Sequence, residues 1–135
     1  LTNRGWGSLG QAEHGLQRLQ WLGKEPFELR EVKATATGFE LAFTRECTAA
    51  SAVAASFAVR SWTYDHHEGY GCPPRDTHAV AVTAVRRSAD GRKVEIDLDD
   101  TTTCRVYEVK CAGVRDSADA APWHGVAWYT RNLAP

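Results

Sequence analysis

The sequence predicts an all-β fold, an immunoglobulin-like antiparallel β-sandwich of about seven strands. Short segments in which apolar and polar residues alternate recur along most of the chain, which is typical of strands with one buried face. The pair Asp90-Gly91 divides two such segments and favours a tight hairpin turn. Helical periodicity is almost absent, since only the alanine-rich segment 48–55 favours a helical turn.

The elements of the first half follow in order from the N-terminus. Residues 1–15 are rich in glycine and have no period, so we expect a linker or N-terminal arm before a sandwich domain at 16–135. Phe39, Leu41 and Phe43 then alternate with polar or small residues, which predicts a strand. The turn-forming segment before them predicts a hairpin with the preceding alternating run.

A long irregular loop is predicted at 65–78, after a strand that ends near Tyr64. Its sequence, DHHEGYGCPPRDTH, contains two prolines and two glycines and breaks every periodic pattern. The predicted strands of the second half lie on either side of Asp90-Gly91, at 105–111 and close to the C-terminus. Long loops without secondary structure often carry function, so we expect a ligand site in this one.

Length and composition exclude several classes of protein. The chain has 135 residues, which is the size of one domain, and its 16 basic and 17 acidic residues give a net charge of −1. This balance argues against a nucleic-acid partner, and 43% hydrophobic residues argue against intrinsic disorder. No apolar run is long enough to span a membrane. The absence of methionine, even at position 1, leads us to expect a piece of a longer chain.

The four cysteines, Cys47, Cys72, Cys104 and Cys111, show no CxxC spacing, which argues against a zinc ribbon or a redox motif. If 105–111 is one strand, Cys104 and Cys111 lie too far apart for a disulfide, which needs Cα atoms within about 7 Å. Two pairings remain, and we favour Cys47–Cys104 with Cys72–Cys111, because Cys47 and Cys104 lie near strand ends. The other is Cys47–Cys111 with Cys72–Cys104, and buried free thiols are the alternative to both. At least one disulfide is expected, and with it an exported protein, periplasmic or extracellular.

Three histidines in the loop, His66, His67 and His78, keep open the alternative of a small metal-binding domain or an enzyme with a His/carboxylate site. Adjacent residues on an extended chain point to opposite faces, which makes a shared metal difficult for the first two. The sequence also contains no HExxH, GxSxG or P-loop motif. We therefore predict no catalytic residues and no cofactor.

Aromatic residues near the irregular segments favour ligand binding. Exposed rings stack on the apolar faces of sugars and anchor protein interfaces. The predicted ligand site consists of Trp62, Tyr64, Asp65, His67, Tyr70, Asp76 and Trp123. The aromatic residues expected in the core are Trp21, Phe27, Phe39, Phe43 and Tyr107.

Several segments together resemble the bacterial Ig-like domains of surface and exported proteins. They are FELAFTREC, SFAVRSWTY, AVTAVRRSADGRKVEIDL and RVYEVKCAGVRDSADA. In that family a Pro-Val-Asp-like turn follows the first of these strands, and here Arg45-Glu46-Cys47 replaces it. We therefore expect this turn to differ from that of the family.

A second set of segments looks like the C-terminal module of large exported bacterial proteins, whose upstream part resembles a β-propeller sugar dehydrogenase or a c-type haem protein. They are NRGWGSLG, GLQRLQWLGKEPFEL, YDHHEGYGCPP and AWYTRN. That group often reads Y-x-Y-H-x-x-Y-G-S-P-E in the loop. The matching residues are Tyr64, His67, Tyr70, Gly71 and Pro73, and the departing ones are His66, Cys72 and Pro74.

The resemblance implies a non-catalytic accessory module of an exported multidomain protein. Such a module would bind carbohydrate or dock a partner domain through its aromatic-rich loop. In the docking case residues 1–15 and an apolar patch would contact the upstream domain of the same chain. The expected partners are therefore that upstream domain and possibly a polysaccharide. No catalytic activity is expected from the upstream domain's chemistry, because an appended domain does not inherit it.

Overall fold

Two antiparallel sheets of four strands pack face to face in the computed structural model, which describes residues 16–135. The predicted antiparallel β-sandwich is confirmed, with eight strands between residues 16 and 135 in place of about seven. The strands are β1 Leu29–Ala34, β2 Gly38–Phe43, β3 Ala58–Thr63, β4 Arg75–Val80, β5 Val82–Arg87, β6 Lys93–Leu98, β7 Arg105–Lys110 and β8 Val126–Arg131. The predicted arm at 1–15 lies outside the described residues.

The strand order is β1-β2-β6-β5 in one sheet and β4-β3-β7-β8 in the other. Both predicted hairpins form, β1–β2 and β5–β6. In the second hairpin Gly91 has a φ of +68°, a left-handed conformation that glycine adopts without steric cost. Where the alanine-rich segment predicted a helical turn, two short 3-10 turns occur, Ala49–Ser51 and Ala54–Ser56.

The predicted loop at 65–78 is shorter in the structure, because β4 begins at Arg75 and pairs with β3. The irregular segment is therefore 64–74, which we call the loop. A single residue, Ala81, separates β4 in one sheet from β5 in the other. The alternation continues through this crossing, and for that reason the sequence indicates one strand where the structure has two.

The core lies between the sheets and contains most of the aromatic residues assigned to it. Phe27, Phe39, Phe43 and Tyr107 are buried, as predicted. The prediction for Trp21 is wrong, since this side chain is 73% exposed. The segment 16–26 precedes β1 and belongs to neither sheet, so no sheet face covers the ring.

The first and last strands run in the same direction, side by side across the two sheets. The carbonyl of Phe27 accepts a hydrogen bond from the Trp123 amide at 3.1 Å, and farther along the carbonyl of Thr35 accepts one from Nη2 of Arg131 at 3.0 Å. The described residues contain no helix that is long and apolar enough to cross a membrane.

Candidate functional site

The loop leaves the β4-β3-β7-β8 sheet at the end where β3 finishes and β4 starts. Trp62 is the second-to-last residue of β3. Its side chain is only 7% exposed and forms the base of this region. The ring of Tyr64 meets it edge-on, with centroids 6.5 Å apart, and the guanidinium of Arg60 lies 5.3 Å from the Trp62 centroid. Trp62 therefore supports the surface and is not itself a free stacking platform.

Two tyrosines of the loop carry the exposed aromatic surface. Tyr64 is 45% exposed, and Tyr70 is fully exposed. Gly71 follows with a φ of +79°, so the chain turns directly after the Tyr70 ring. A fully exposed ring makes no contribution to the core and is available to a ligand.

A cavity of about 240 Å³ opens between the two arms of the loop, lined by Asp65, His67, Pro73 and Arg75. Asp65 and Arg75 form an ion pair across its mouth, with 2.6 Å between Oδ2 and Nη1. Nδ1 of His67 accepts the backbone N–H of Gly69 at 3.1 Å, which orients the imidazole. Asp65, His67 and the two tyrosines lie on the loop, and Arg75 is the first residue of β4.

The structure places Asp76 in a supporting role. Its Oδ2 accepts a hydrogen bond from Nη1 of Arg105 at 2.7 Å, and its carbonyl accepts another from Nη2. Arg105 is nearly buried and also donates from Nε to the Ser61 hydroxyl at 2.7 Å. The carboxylate of Asp76 therefore anchors the start of β4 to the neighbouring strands.

Trp123 lies apart from the other predicted site residues. It precedes β8, and the start of β8 pairs with the end of β7. The loop adjoins the opposite end of β7, because Thr63 and Arg75 pair at the far end of β3. Of the predicted ligand residues, Tyr64, Asp65, His67 and Tyr70 lie on the loop, Asp65 and His67 share a cavity, and Tyr64 contacts Trp62.

The histidines of the alternative metal site are dispersed. His78 lies in β4, where its Nε2 is 3.2 Å from Oδ2 of Asp100 and its Nδ1 is 3.2 Å from the carbonyl of Asp76. Hydrogen bonds from Thr102, with a smaller contribution from His78, lower the pKa of Asp100. Within residues 16–135 no group of three His, Cys, Asp or Glu side chains is placed to hold a metal ion.

The outer face of the same sheet carries a charge network that the sequence did not predict. Arg60, Glu108 and Trp128 occupy directly opposed positions on β3, β7 and β8. Glu108 accepts two hydrogen bonds from Arg60, both 2.9 Å, and one of 3.1 Å from the Trp128 indole, while Lys110 approaches to 3.2 Å. These bonds, chiefly those from Arg60, hold the pKa of Glu108 below its ordinary value against the effect of desolvation.

Two further depressions follow β3 and β4 away from the loop. The first, of about 50 Å³, is lined by Arg60, Trp62, Pro74 and Thr77. The second, of about 240 Å³, is lined by Ala58, Val59, Arg60, Ala79, Glu108 and Lys110. Short alanine side chains on two paired strands leave this second depression open.

All four cysteines are free thiols in the structure. Cys104 and Cys111 lie at opposite ends of β7, Cys104 exposed and Cys111 buried. Cys47 is also buried and is close enough to Cys111 to contribute to raising its pKa. Cys72 belongs to the loop, at the Cys104 end. The pairing that we favoured, Cys47–Cys104 with Cys72–Cys111, would therefore join cysteines at opposite ends of β7. In the second pairing, Cys47–Cys111 with Cys72–Cys104, the two partners lie at the same end of β7.

The fold and its loop define a small β-sandwich module with an aromatic surface at one end. No protein-family model matches the chain, and neither does any curated protein. Solved structures of a bacterial surface-layer protein share the fold. The S-layer protein rSbsC(31-844) matches with a TM-score of 0.61 and 22% identity over 80% of this chain and 14% of that chain.

Two further structures of the same S-layer protein match equally well. Domains 1–6 of SbsC match with a TM-score of 0.61 and 22% identity, again over 80% of this chain and 14% of that one. The N-terminal part of SbsC gives a TM-score of 0.61 and 21% identity over 80% and 24% of the two chains. The chain thus spans less than a quarter of the length of these proteins, and the likeness concerns the fold. The resemblance to modules of propeller or haem proteins finds no support among these structures.

Proposed function

We propose that this chain is a non-catalytic β-sandwich module of an exported, multidomain bacterial protein and that it binds carbohydrate through the loop. The observation that carries this proposal is the exposure of two tyrosines, Tyr70 fully and Tyr64 by half, on the same loop that contributes Asp65 and His67 to a cavity. Flat rings next to polar side chains suit a sugar, whose ring faces are apolar and whose edges carry hydroxyls. Domains of a long surface-layer chain share the fold, which supports a module in a multidomain setting.

Affinity electrophoresis tests the binding function. The chain is run through gels that contain soluble polysaccharides, neutral ones and acidic ones, and at least one polymer is expected to retard it. In the variant Tyr70→Ala the retardation should fall strongly, because the ring most available to a sugar is lost.

Trp123→Ala is the matched control. This residue is also an exposed aromatic, at 78%, but lies at the other end of the sheet. The control should be retarded like the unmodified protein. A folded chain that migrates freely through every polymer would contradict carbohydrate binding. Trp62→Ala is unsuitable here, because removal of a buried ring destabilises the domain.

Docking of a neighbouring domain is a second candidate function, favoured by a different observation. Four large apolar side chains in the segment 16–26 are 73–97% exposed: Leu16, Leu19, Trp21 and Leu22. A contiguous exposed apolar group of this kind marks a surface for protein contact. In a longer chain this segment would pack against the preceding domain.

Limited trypsin digestion tests docking, because Arg18 and Lys24 are cleavage sites within the same segment. The chain alone should be cut there rapidly. The same chain joined to its native upstream neighbour should resist cleavage at these two sites. Equal cleavage rates in both proteins would rule out docking through this segment.

A further inference from the structure

An exposed cysteine, Cys104, borders the first residue of the loop. In the register of β3 with β7, Trp62 pairs with Val106. Continued by two residues, the same register places Cys104 opposite Tyr64, where the loop begins. The Thr63 hydroxyl donates to the carbonyl of Cys104 at 3.3 Å, so the two chains stay side by side as far as this point.

The backbone of Cys104 is held in place. Its amide donates to the carbonyl of Arg131 in β8 at 2.6 Å, in addition to the bond that its carbonyl accepts from Thr63. Its φ is +60°, in the left-handed region that cysteine rarely adopts. Such a conformation persists only where the surrounding structure fixes it. A covalent partner therefore has to come to Cys104.

Cys72, on the returning arm of the loop, is within reach of Cys104. It lies three residues before Arg75, which pairs with Thr63 on the side of β3 opposite to β7. Two strand spacings separate the Cα atoms of Arg75 and Cys104, which is about 10 Å. Three residues of chain span at most about 11 Å. The arm is therefore long enough to bring Cys72 to the Cα separation of about 7 Å or less that a disulfide needs.

The returning arm already lies over β3, the strand between β4 and β7. Pro74 and Trp62 line the same depression of about 50 Å³ on the outer face of the sheet. Gly71, directly before Cys72, has a φ of +79° and open space around its Cα. A glycine at this point lets the chain turn the thiol of Cys72 towards β7 without a steric cost.

The exposure of the four thiols singles out this pair. Cys47 and Cys111 are fully buried in the core, and the Cys47 thiol donates to the carbonyl of Gly91 at 3.1 Å. An oxidant in solution reaches such thiols only when the domain opens. Cys72 and Cys104 are both exposed and lie at the same end of β7.

From this placement we propose that Cys72 and Cys104 form a disulfide under oxidising conditions, which ties the returning arm of the loop to the start of β7. The structure shows the dithiol state of this pair. The oxidant is a small disulfide such as oxidised glutathione. One thiolate attacks it and releases one thiol, the second cysteine displaces the other, and the two cysteine protons end on the released thiols. Such a bond fixes the shape of the loop whether or not the loop binds carbohydrate.

Peptide mapping tests the bond directly, because trypsin places each cysteine on a peptide of its own: 46–60, 61–75, 94–105 and 111–115. Protein treated with oxidised glutathione, alkylated and digested without reductant should yield 61–75 joined to 94–105 from a monomeric chain. Protein kept in reductant should yield both peptides alkylated. If Cys72 and Cys104 are still alkylated after oxidation, or end bonded to glutathione, to Cys47 or Cys111, or to a second chain, the proposal is wrong.

Closure of the loop should also be visible in stability and proteolysis. Oxidised protein should melt at least about 5 °C above reduced protein, because the bond restricts the unfolded chain. Chymotrypsin should cut after the exposed Tyr70 at least about fivefold more slowly in oxidised protein.

Cleavage after Trp21 is the internal control, because this residue is 73% exposed and lies outside the loop, and its rate should not change. In the variant Cys72→Ser the two redox conditions should give the same melting temperature and the same cleavage after Tyr70. Equal melting and equal Tyr70 cleavage in the oxidised and reduced parent protein would overturn the proposal.

Discussion

Arg60 and Glu108 face each other across neighbouring strands and form an ion pair with two hydrogen bonds, both 2.9 Å long. The Glu108 side chain is only 5% exposed although it lies on the outer face of the sheet, because Arg60, Lys110 and Trp128 cover it. The carboxylate therefore organises three side chains at once. Its loss would remove the acceptor of four donor groups, two of Arg60 and one each of Lys110 and Trp128.

Glu108→Gln should lower the free energy of unfolding by about 1–3 kcal/mol, because a nearly buried charge that holds several donors is removed. Urea denaturation at pH 7 measures this. The control is Glu95→Gln, whose partner Arg86 is 3.0 Å away on an exposed face, and its effect should stay below about 1 kcal/mol.

The Glu108 effect should also depend on pH. The pKa of Glu108 is lowered in the folded protein, so its contribution is present above the unfolded pKa and is lost as pH falls through the folded value. The difference between the parent and Glu108→Gln should therefore shrink in strongly acidic solution. An unchanged difference there would contradict a role through charge.

Asp76 combines an unusual backbone with an ion pair, and the two effects can be separated. Its φ is +50°, in the left-handed region that asparagine tolerates better than alanine does. Asp76→Asn should cost less stability than Asp76→Ala, which loses both the backbone preference and the side-chain acceptor for Nη1 of Arg105. We expect about 1 kcal/mol and about 2 kcal/mol respectively, from chemical denaturation.

Gly38 is required by close packing of backbone. A Cβ at this position would lie 2.0 Å from the Ile96 carbonyl oxygen, which belongs to the paired strand and cannot move independently. Gly38→Ala should destabilise the domain by about 3 kcal/mol or more. Gly125→Ala is the control, because its nearest neighbours would lie at 3.7 Å, and its melting temperature should change little.

Alkaline solution should destabilise the domain through Cys111. Burial, with a smaller contribution from Cys47, raises the pKa of Cys111 from 9.0 to about 12. A raised pKa gives stability that is complete below the unfolded value and disappears as pH rises through the folded one. At about pH 11 the loss should be roughly 2.5 kcal/mol.

Urea midpoints between pH 7 and pH 11 measure this loss. Cys111→Ala should be less stable at neutral pH but should lose less on going to alkaline pH than the parent does. Cys72→Ala, at an exposed position, should follow the parent curve. Parallel curves for the parent and Cys111→Ala would contradict the prediction.

Thiol accessibility should divide the cysteines into two pairs. In the native protein a thiol reagent should react rapidly with the exposed Cys72 and Cys104, and with the buried Cys47 and Cys111 only after denaturation. Mass spectrometry of the labelled peptides identifies the sites. A native protein that lacks rapidly reacting thiols would indicate that the exposed pair is bonded.

The strands were predictable where the signal is local. The alternation of Phe39, Leu41 and Phe43 with the residues between them indicates a strand with one buried face. Asp90-Gly91 predicts a turn, because its own backbone preferences favour one. The crossing at Ala81 was hidden, because the alternation passes through it unchanged. Trp21 was assigned to the core because its side chain is hydrophobic. The residue type does not show whether a sheet lies close enough to cover the ring.

The candidate site was likewise predictable only where the signal in the sequence is local. The loop was found because its glycines and prolines interrupt every pattern, and its aromatics are visible in sequence. The network around Glu108 depends on strand register, since Arg60 is 48 residues away and Trp128 is 20 residues away along the chain. Asp76 was assigned to ligand binding because nothing in the sequence identifies Arg105 as its partner.

The parallel course of β1 and β8 has a mechanical consequence. The chain enters the sandwich beside Trp123 and leaves it beside Thr35, at opposite ends of these two strands. Tension applied through residues 29 and 131 would be directed along the strands. It would load the ladders of β1 with β2 and of β7 with β8 in shear, so that many hydrogen bonds resist together and none is peeled apart singly. Force applied between these two ends would therefore run lengthwise through both sheets of the sandwich.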